Sequence, residues 1–169
     1  MSAAATRQDE QTVEFVRILP GPIEHVWSYL ADSDKRRQWL GAGDLPARVG
    51  GRFSLHIKHS DFWPDEVPAD QREAMQKAEH TMTHTLLVLE PPHRLAYTFQ
   101  PDGWEENRVE FRLTPEGDNQ VRLTLTHSKL GSNQHAADAS SGWQGHLDIL
   151  RYKLEDKALP SFDDVWPKP

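Results

Sequence analysis

Nine histidines and no cysteine set the chemistry open to this chain of 169 residues. Histidine changes charge near neutral pH and can act as acid, base or metal ligand. A metal centre needs three or four ligands converging from neighbouring elements. His56 and His59 are close in sequence, and so are His80 and His84. On one strand, His80 and His84 would share a face yet stand about 13 Å apart. No His-Glu-x-x-His pattern occurs, so no metal and no cofactor is expected. Gly50-Gly51 lacks the lysine and helix of a phosphate loop, and no Gly-x-Ser-x-Gly elbow presents a nucleophilic serine. Without cysteine there are no disulfides, thiolate ligands or cysteine nucleophile. His127 is the histidine best placed for chemistry. It continues the apolar alternation of Val121, Leu123 and Leu125, so it is expected to face inward. The plainer alternative is a strand-end histidine near solvent. The sequence names no nucleophile or carboxylate partner for it, and no catalytic residue is assigned.

The element that must organise these residues is the last helix, predicted over Ser141 to about Leu159. Trp143, Leu147, Leu150 and Leu154 recur at steps of four, three and four. That spacing makes one apolar stripe on a helix. Ser141 with Gln144 reads as a capping box, and Pro160 stops the helix. Asp148, Arg151, Glu155 and Asp156 fall on the opposite, watery side.

Apolar residues make up 37% of the chain and charged residues 27%, and the net charge is −7. An acidic chain is a poor match for nucleic-acid phosphates. No apolar run is long enough to span a bilayer. Residues 1–10 carry no signal-peptide pattern. A cytoplasmic location is expected, with residues 1–10 disordered, one domain over 11–159 and a tail over 160–169.

In order, Thr12 to Leu19 is β-branched and roughly alternating, a first strand. Pro22 suits the first position of a helix, and Ile23, Val26, Trp27 and Leu30 follow at helical spacing. Asp32 or Ser33 can cap a second short helix. Arg48 to Phe53 reads as a strand interrupted by two glycines. Phe53, Leu55 and Ile57 then alternate with polar residues. Residues 60–79 form an acidic insertion, with six acids against two bases from Asp61 to Glu79, and Pro68 to Ala78 reads as a polar helix. Alternating strands resume from Thr81. Leu95, Tyr97 and Phe99 share a face, as do Val109, Phe111 and Leu113. About six consecutive antiparallel strands are thus expected between the short helices and the long one. The predicted class is α+β: a curved antiparallel sheet wrapped around a long C-terminal helix, with two short helices after strand one. A one-faced sheet and a one-striped helix bury each other. A twisted sheet curls, so unfilled room between sheet and helix is expected.

Several motifs recur together. They are Pro22-Ile23-Glu24-His25-Val26-Trp27, Gln38-Trp39, Gly50-Gly51-Arg52-Phe53, Pro91-Pro92-His93-Arg94-Leu95-Ala96-Tyr97-Thr98 and Gly142-Trp143. In this order they resemble the START-like (SRPBCC, helix-grip) superfamily, and within it homologues of the activator of heat-shock protein ninety ATPase. The resemblance runs from about Thr12 to Asp156. It implies a helix-grip fold and a cavity for a small hydrophobic or aromatic molecule. Phe53, Tyr97, Phe111, His127, Trp143 and Leu147 are the expected lining, although for each aromatic a place in the core is the plainer reading. Two departures stand out. Residues 60–79 exceed the short hairpin of relatives, and Phe99 stands where they often carry tryptophan. Three functional readings follow. The first is a binding module for a hydrophobic ligand. The second is a cyclase- or hydrolase-type enzyme using the same cavity. The third is a protein-interaction module stimulating a chaperone ATPase, with residues 60–79 as the contact. The co-chaperone itself carries a separate chaperone-binding domain, for which these 169 residues leave no room.

Overall fold

The computed structural model describes residues 6–9, 11–65, 67–101 and 103–167. Seven antiparallel strands form one sheet in the order β1-β2-β7-β6-β5-β4-β3. The strands are β1 (Thr6–Asp9), β2 (Thr12–Pro20), β3 (Arg52–Ile57), β4 (His80–Glu90), β5 (Arg94–Phe99), β6 (Asn107–Glu116) and β7 (Gln120–Ser128). Helices α1 (Ile23–Ala31) and α2 (Ser33–Arg36) follow β2. Helix α3 (Ala69–Ala78) lies in the insertion, α4 (Asn133–Leu154) is the long helix, and α5 (Phe162–Val165) is a single turn beyond it.

Alternation drives the sheet's one-sidedness. In β3, Phe53, Leu55 and Ile57 are buried while Arg52, Ser54 and His56 are exposed. In β7, Val121, Leu123, Leu125 and His127 are buried. β4 sends His84 and Leu86 inward, which its sequence alone did not settle. Trp143, Leu147 and Leu150 of α4 are buried against this face, and Leu154 is half-buried. At about 1.5 Å per residue, the 22 residues of α4 span roughly 33 Å.

Several sequence expectations need correction. α4 starts eight residues before the expected cap: Ser132, not Ser141, is the N-cap, and its hydroxyl accepts from the His135 amide at 3.0 Å. The stretch 133–142 reads as a loop because it lacks large apolar residues, yet its alanines are the best helix formers. The helix ends at Leu154 rather than Leu159, and Asp156 adopts a left-handed φ of 55° just beyond it. Arg48–Gly51 is a turn, with Gly50 at φ 92°, and β3 starts only at Arg52. Five strands, not six, therefore follow α2. Residues 6–9 pair with β2 as a short strand. The rest of the expected disorder over 1–10 lies outside the described residues, apart from that strand. Trp166, in the tail over 160–169, lies directly on the backbone of α4, where a Cβ at Gly145 would overlap its indole.

Other expectations match the coordinates. Asp32 caps α2, its carboxylate accepting from the Asp34 amide at 2.9 Å and the Lys35 amide at 3.2 Å. Pro68 is the N-cap of the polar helix in the insertion.

Candidate functional site

The N-terminal half of α4 is built from small residues. Ala136 and Ala139 are buried, and Gly142 immediately precedes Trp143. Small side chains hold α4 to the sheet without filling the space beside it. There the structure leaves a pocket of about 210 Å³. Its walls are Ile57 of β3, Met82 of β4 and Phe99 of β5, facing Ala139, Gly142 and Trp143 of α4. Trp104, Pro101 and His80 also line it. Trp104 is held by stacking on His135, with ring centres 3.9 Å apart. His80, Asp138 and His146 are the pocket's polar lining residues. The His146 Nδ1–H donates to the Trp39 carbonyl at 2.8 Å, which leaves Nε2 as an acceptor in the neutral ring. Burial pushes His146 down to about 4, so the ring is neutral at pH 7.

Deeper between sheet and helix the space is closed. Phe53, Tyr97 and Phe111 pack with Leu30, Trp39 and Leu95 around a gap with no room for a water molecule. The Phe53 and Tyr97 rings meet edge to face at 5.4 Å, and Phe111 meets Trp143 at 5.7 Å. Burial raises the Tyr97 hydroxyl's pKa, so it stays protonated. Arg36 seals the rim. Its guanidinium donates to the carbonyls of Leu30, Ala31, Gly41 and Gly43. It thereby ties the end of α1 to the loop after α2.

His127 is inward, as its alternation suggests, with no exposed surface. The Trp143 indole N–H donates to its Nδ1 at 3.0 Å. The indole can only donate, so the His127 proton is on Nε2 and is donated to Asn107 Oδ1 at 2.5 Å. The Asn107 amide nitrogen donates in turn to the Glu105 carbonyl. Every polar atom of the imidazole is therefore used. Burial holds His127 down at about 3. A neutral ring with no spare lone pair cannot take a substrate proton, so His127 is a fixed internal strut that orients Trp143.

Of the six expected lining residues, only Trp143 borders the open pocket. Phe53, Tyr97 and Phe111 lie in the closed core. His127 and Leu147 border neither space. Sequence reasoning missed Phe99, Met82, Ile57 and His146. The first three were legible as continuations of inward faces, and His146 as the residue three after Trp143 on one helix. His84 was also missed. Its Nδ1 donates to the Thr98 carbonyl at 2.7 Å, its ring lies among Phe53, Tyr97 and Phe99, and its Nε2 has no partner. Among the described residues no group of three or more His, Asp or Glu could hold a metal ion. Among them no helix is long and apolar enough to cross a membrane.

A helix gripped by a curved sheet, with short helices after the second strand, narrows the comparison. The profile described as Activator of Hsp90 ATPase homolog 1-like protein matches residues 20–155. The chain belongs to that Activator of Hsp90 ATPase homolog 1-like family. A Bordetella parapertussis protein solved by NMR is 41% identical, with a TM-score of 0.79 over 95% of this chain and 83% of the other. CalU16 from Micromonospora echinospora is 25% identical, with a TM-score of 0.62 over 82% and 73%. A Mesorhizobium loti protein, 24% identical, shares the fold with a TM-score of 0.66 over 88% of this chain and all of its own. No curated protein matches.

In this Activator of Hsp90 ATPase homolog 1-like chain, the acidic insertion is not a free loop. The Trp63 indole donates to the Pro160 carbonyl at 2.8 Å, and Lys153 Nζ donates to the Phe62 carbonyl at 2.6 Å. Phe62 is fully buried, and His59 packs against Phe62, Phe162 and Trp166. The insertion and the C-terminal segment therefore close over the second half of α4 together.

Proposed function

We propose that this protein is a binding module whose ligand is a small hydrophobic or aromatic molecule held between α4 and the β3–β5 edge of the sheet. The observation that carries this reading is the largely apolar pocket of about 210 Å³ beside Trp143, with His80, Asp138 and His146 as its polar lining. Drug-sized ligands need roughly 300–1,000 Å³. An engineered apolar cavity of about 150 Å³ takes benzene. The pocket therefore suits a single ring or a short acyl chain carrying one hydrogen-bond donor for His146 Nε2. A large polyketide or a full lipid exceeds it.

The enzymatic alternative loses His127 as its base, because that ring has no free nitrogen. The chaperone-contact alternative is left with the exposed face of α3, because the start of the insertion at Phe62 and Trp63 is bound to α4 and the tail.

The test is a thermal-midpoint screen with fatty acids and alcohols of graded length, single-ring phenols and flavonoids. A ligand at 100 times its Kd stabilises by about 2.7 kcal/mol. Gly142→Leu places a side chain at the pocket wall where a Cβ meets nothing within 4 Å. Single-ring phenols or short-chain alcohols should raise the midpoint of the parent and leave Gly142→Leu unmoved. Equal shifts in both proteins, or no shift with any compound, would remove this reading.

A further inference from the structure

The opposite end of α4 carries a second and larger cleft. Its volume is about 490 Å³, more than twice that of the apolar pocket. Helices α1 and α2 with their flank give Tyr29 and Gln38, the insertion gives Trp63 and Gln71, and the end of α4 and its extension give Lys153 and Leu159. Among the described residues, four charged ones line it: Asp65, Lys153, Asp156 and Lys157. Three of them are exposed, and Lys153 alone is withdrawn from solvent. Lys157 has a carboxylate neighbour, Glu155, at 3.6 Å. Lys153 has none within 4 Å among the described residues. Its one hydrogen bond is to the Phe62 carbonyl. Burial lowers its pKa, and no carboxylate offsets that. An ammonium has three donors, so two remain for a ligand.

A half-desolvated ammonium beside aromatic rings recognises a carboxylate carried on an apolar body. The Trp63 indole N–H is already committed to Pro160, so its ring offers a face rather than a donor. The two acids, Asp65 and Asp156, oppose a second negative charge. These features favour a monoanion over a phosphate ester. We propose that this cleft binds a small aromatic monocarboxylate, its ring against Trp63 and its carboxylate on Lys153 Nζ. The site is independent of the apolar pocket and of the reading built on it.

The experiment is an NMR titration of the ¹⁵N-labelled full chain with phenylacetate. Phenylacetamide serves as the uncharged control and phenyl phosphate as the dianion. Phenylacetate should move the Trp63 indole and Lys153 amide signals and bind at least ten-fold tighter than the amide. Lys153→Met should lose that ten-fold, and Lys153→Arg should retain binding within about three-fold. If Lys153→Met unfolds the insertion, the acid–amide comparison and Lys153→Arg still decide. Equal binding of acid and amide would overturn the proposal. So would tighter binding of phenyl phosphate, or shifts confined to the Trp143 indole.

Discussion

Lowering the pH from 7 to 4.5 should remove a large share of this protein's stability, and the loss should begin above the range in which carboxylates titrate. Burial holds both His59 and His127 at about 3, far below the ordinary 6.5. His59 is 7% exposed and His127 not at all. A histidine depressed in the folded state binds its proton more readily once unfolded. The stability it supplies is complete above pH 6.5 and drains as pH falls toward the folded value of about 3. Each such group contributes about 1.4 kcal/mol per pH unit in that window. From pH 6.5 to 4.5 the two together remove about 5 kcal/mol, a large share of the 5–15 kcal/mol typical of a domain. His146, held at about 4, acts in the same direction. Urea midpoints at pH 7, 6, 5 and 4.5 measure the slope. His59→Phe supplies the control. The His59 Nδ1 is buried without a partner, and its neighbours are Phe62, Phe162 and Trp166. A phenyl ring should fit there, hold stability at pH 7 and flatten the acid slope by about 1.4 kcal/mol per unit. A stability curve level from pH 7 to 5, or an unchanged slope in His59→Phe, would refute the assignment of these buried neutral rings.

Two further outcomes are expected. Gly145→Ala should expel Trp166 from α4, because the new Cβ overlaps the indole; the gain in helix propensity, about 1 kcal/mol, should keep the midpoint within a few degrees. An indole signal for Trp166 that stays in place would contradict this. Arg36→Lys should destabilise by about 2 kcal/mol or more, since one ammonium cannot reach four carbonyls served by a planar fork; a chemical-denaturation midpoint equal to the parent's would count against it.

The sheet was legible because its strands alternate cleanly. Phe53-Leu55-Ile57 and Val121-Leu123-Leu125 announce their inward faces by period two alone. The start of α4 was not legible for a physical reason. Ala136, Ala139 and Gly142 carry no apolar signal large enough to show a period, and the same smallness leaves the pocket open. Four of the six expected site residues, Phe53, Tyr97, Phe111 and Trp143, were large aromatics, and large side chains fill space more often than they border it. Phe53, Tyr97 and Phe111 went to the closed core for that reason. The second cleft was invisible because it joins residues from Tyr29 to Ser161 that no local pattern relates.

Strand β2 finds its long-range partner in β7, where Val13 sits opposite His127 and Pro20 opposite Gln120. On the ribosome, that match is impossible until most of the polypeptide has emerged. The hairpins from β3 to β7 can form as they appear, while Phe15 and Leu19 wait with their apolar faces uncovered. Closing so distant a pair is slow compared with local contacts. Nascent chains halted before Ser128 should therefore leave the N-terminal strand open to chaperones and proteases, and release past that point should bury it.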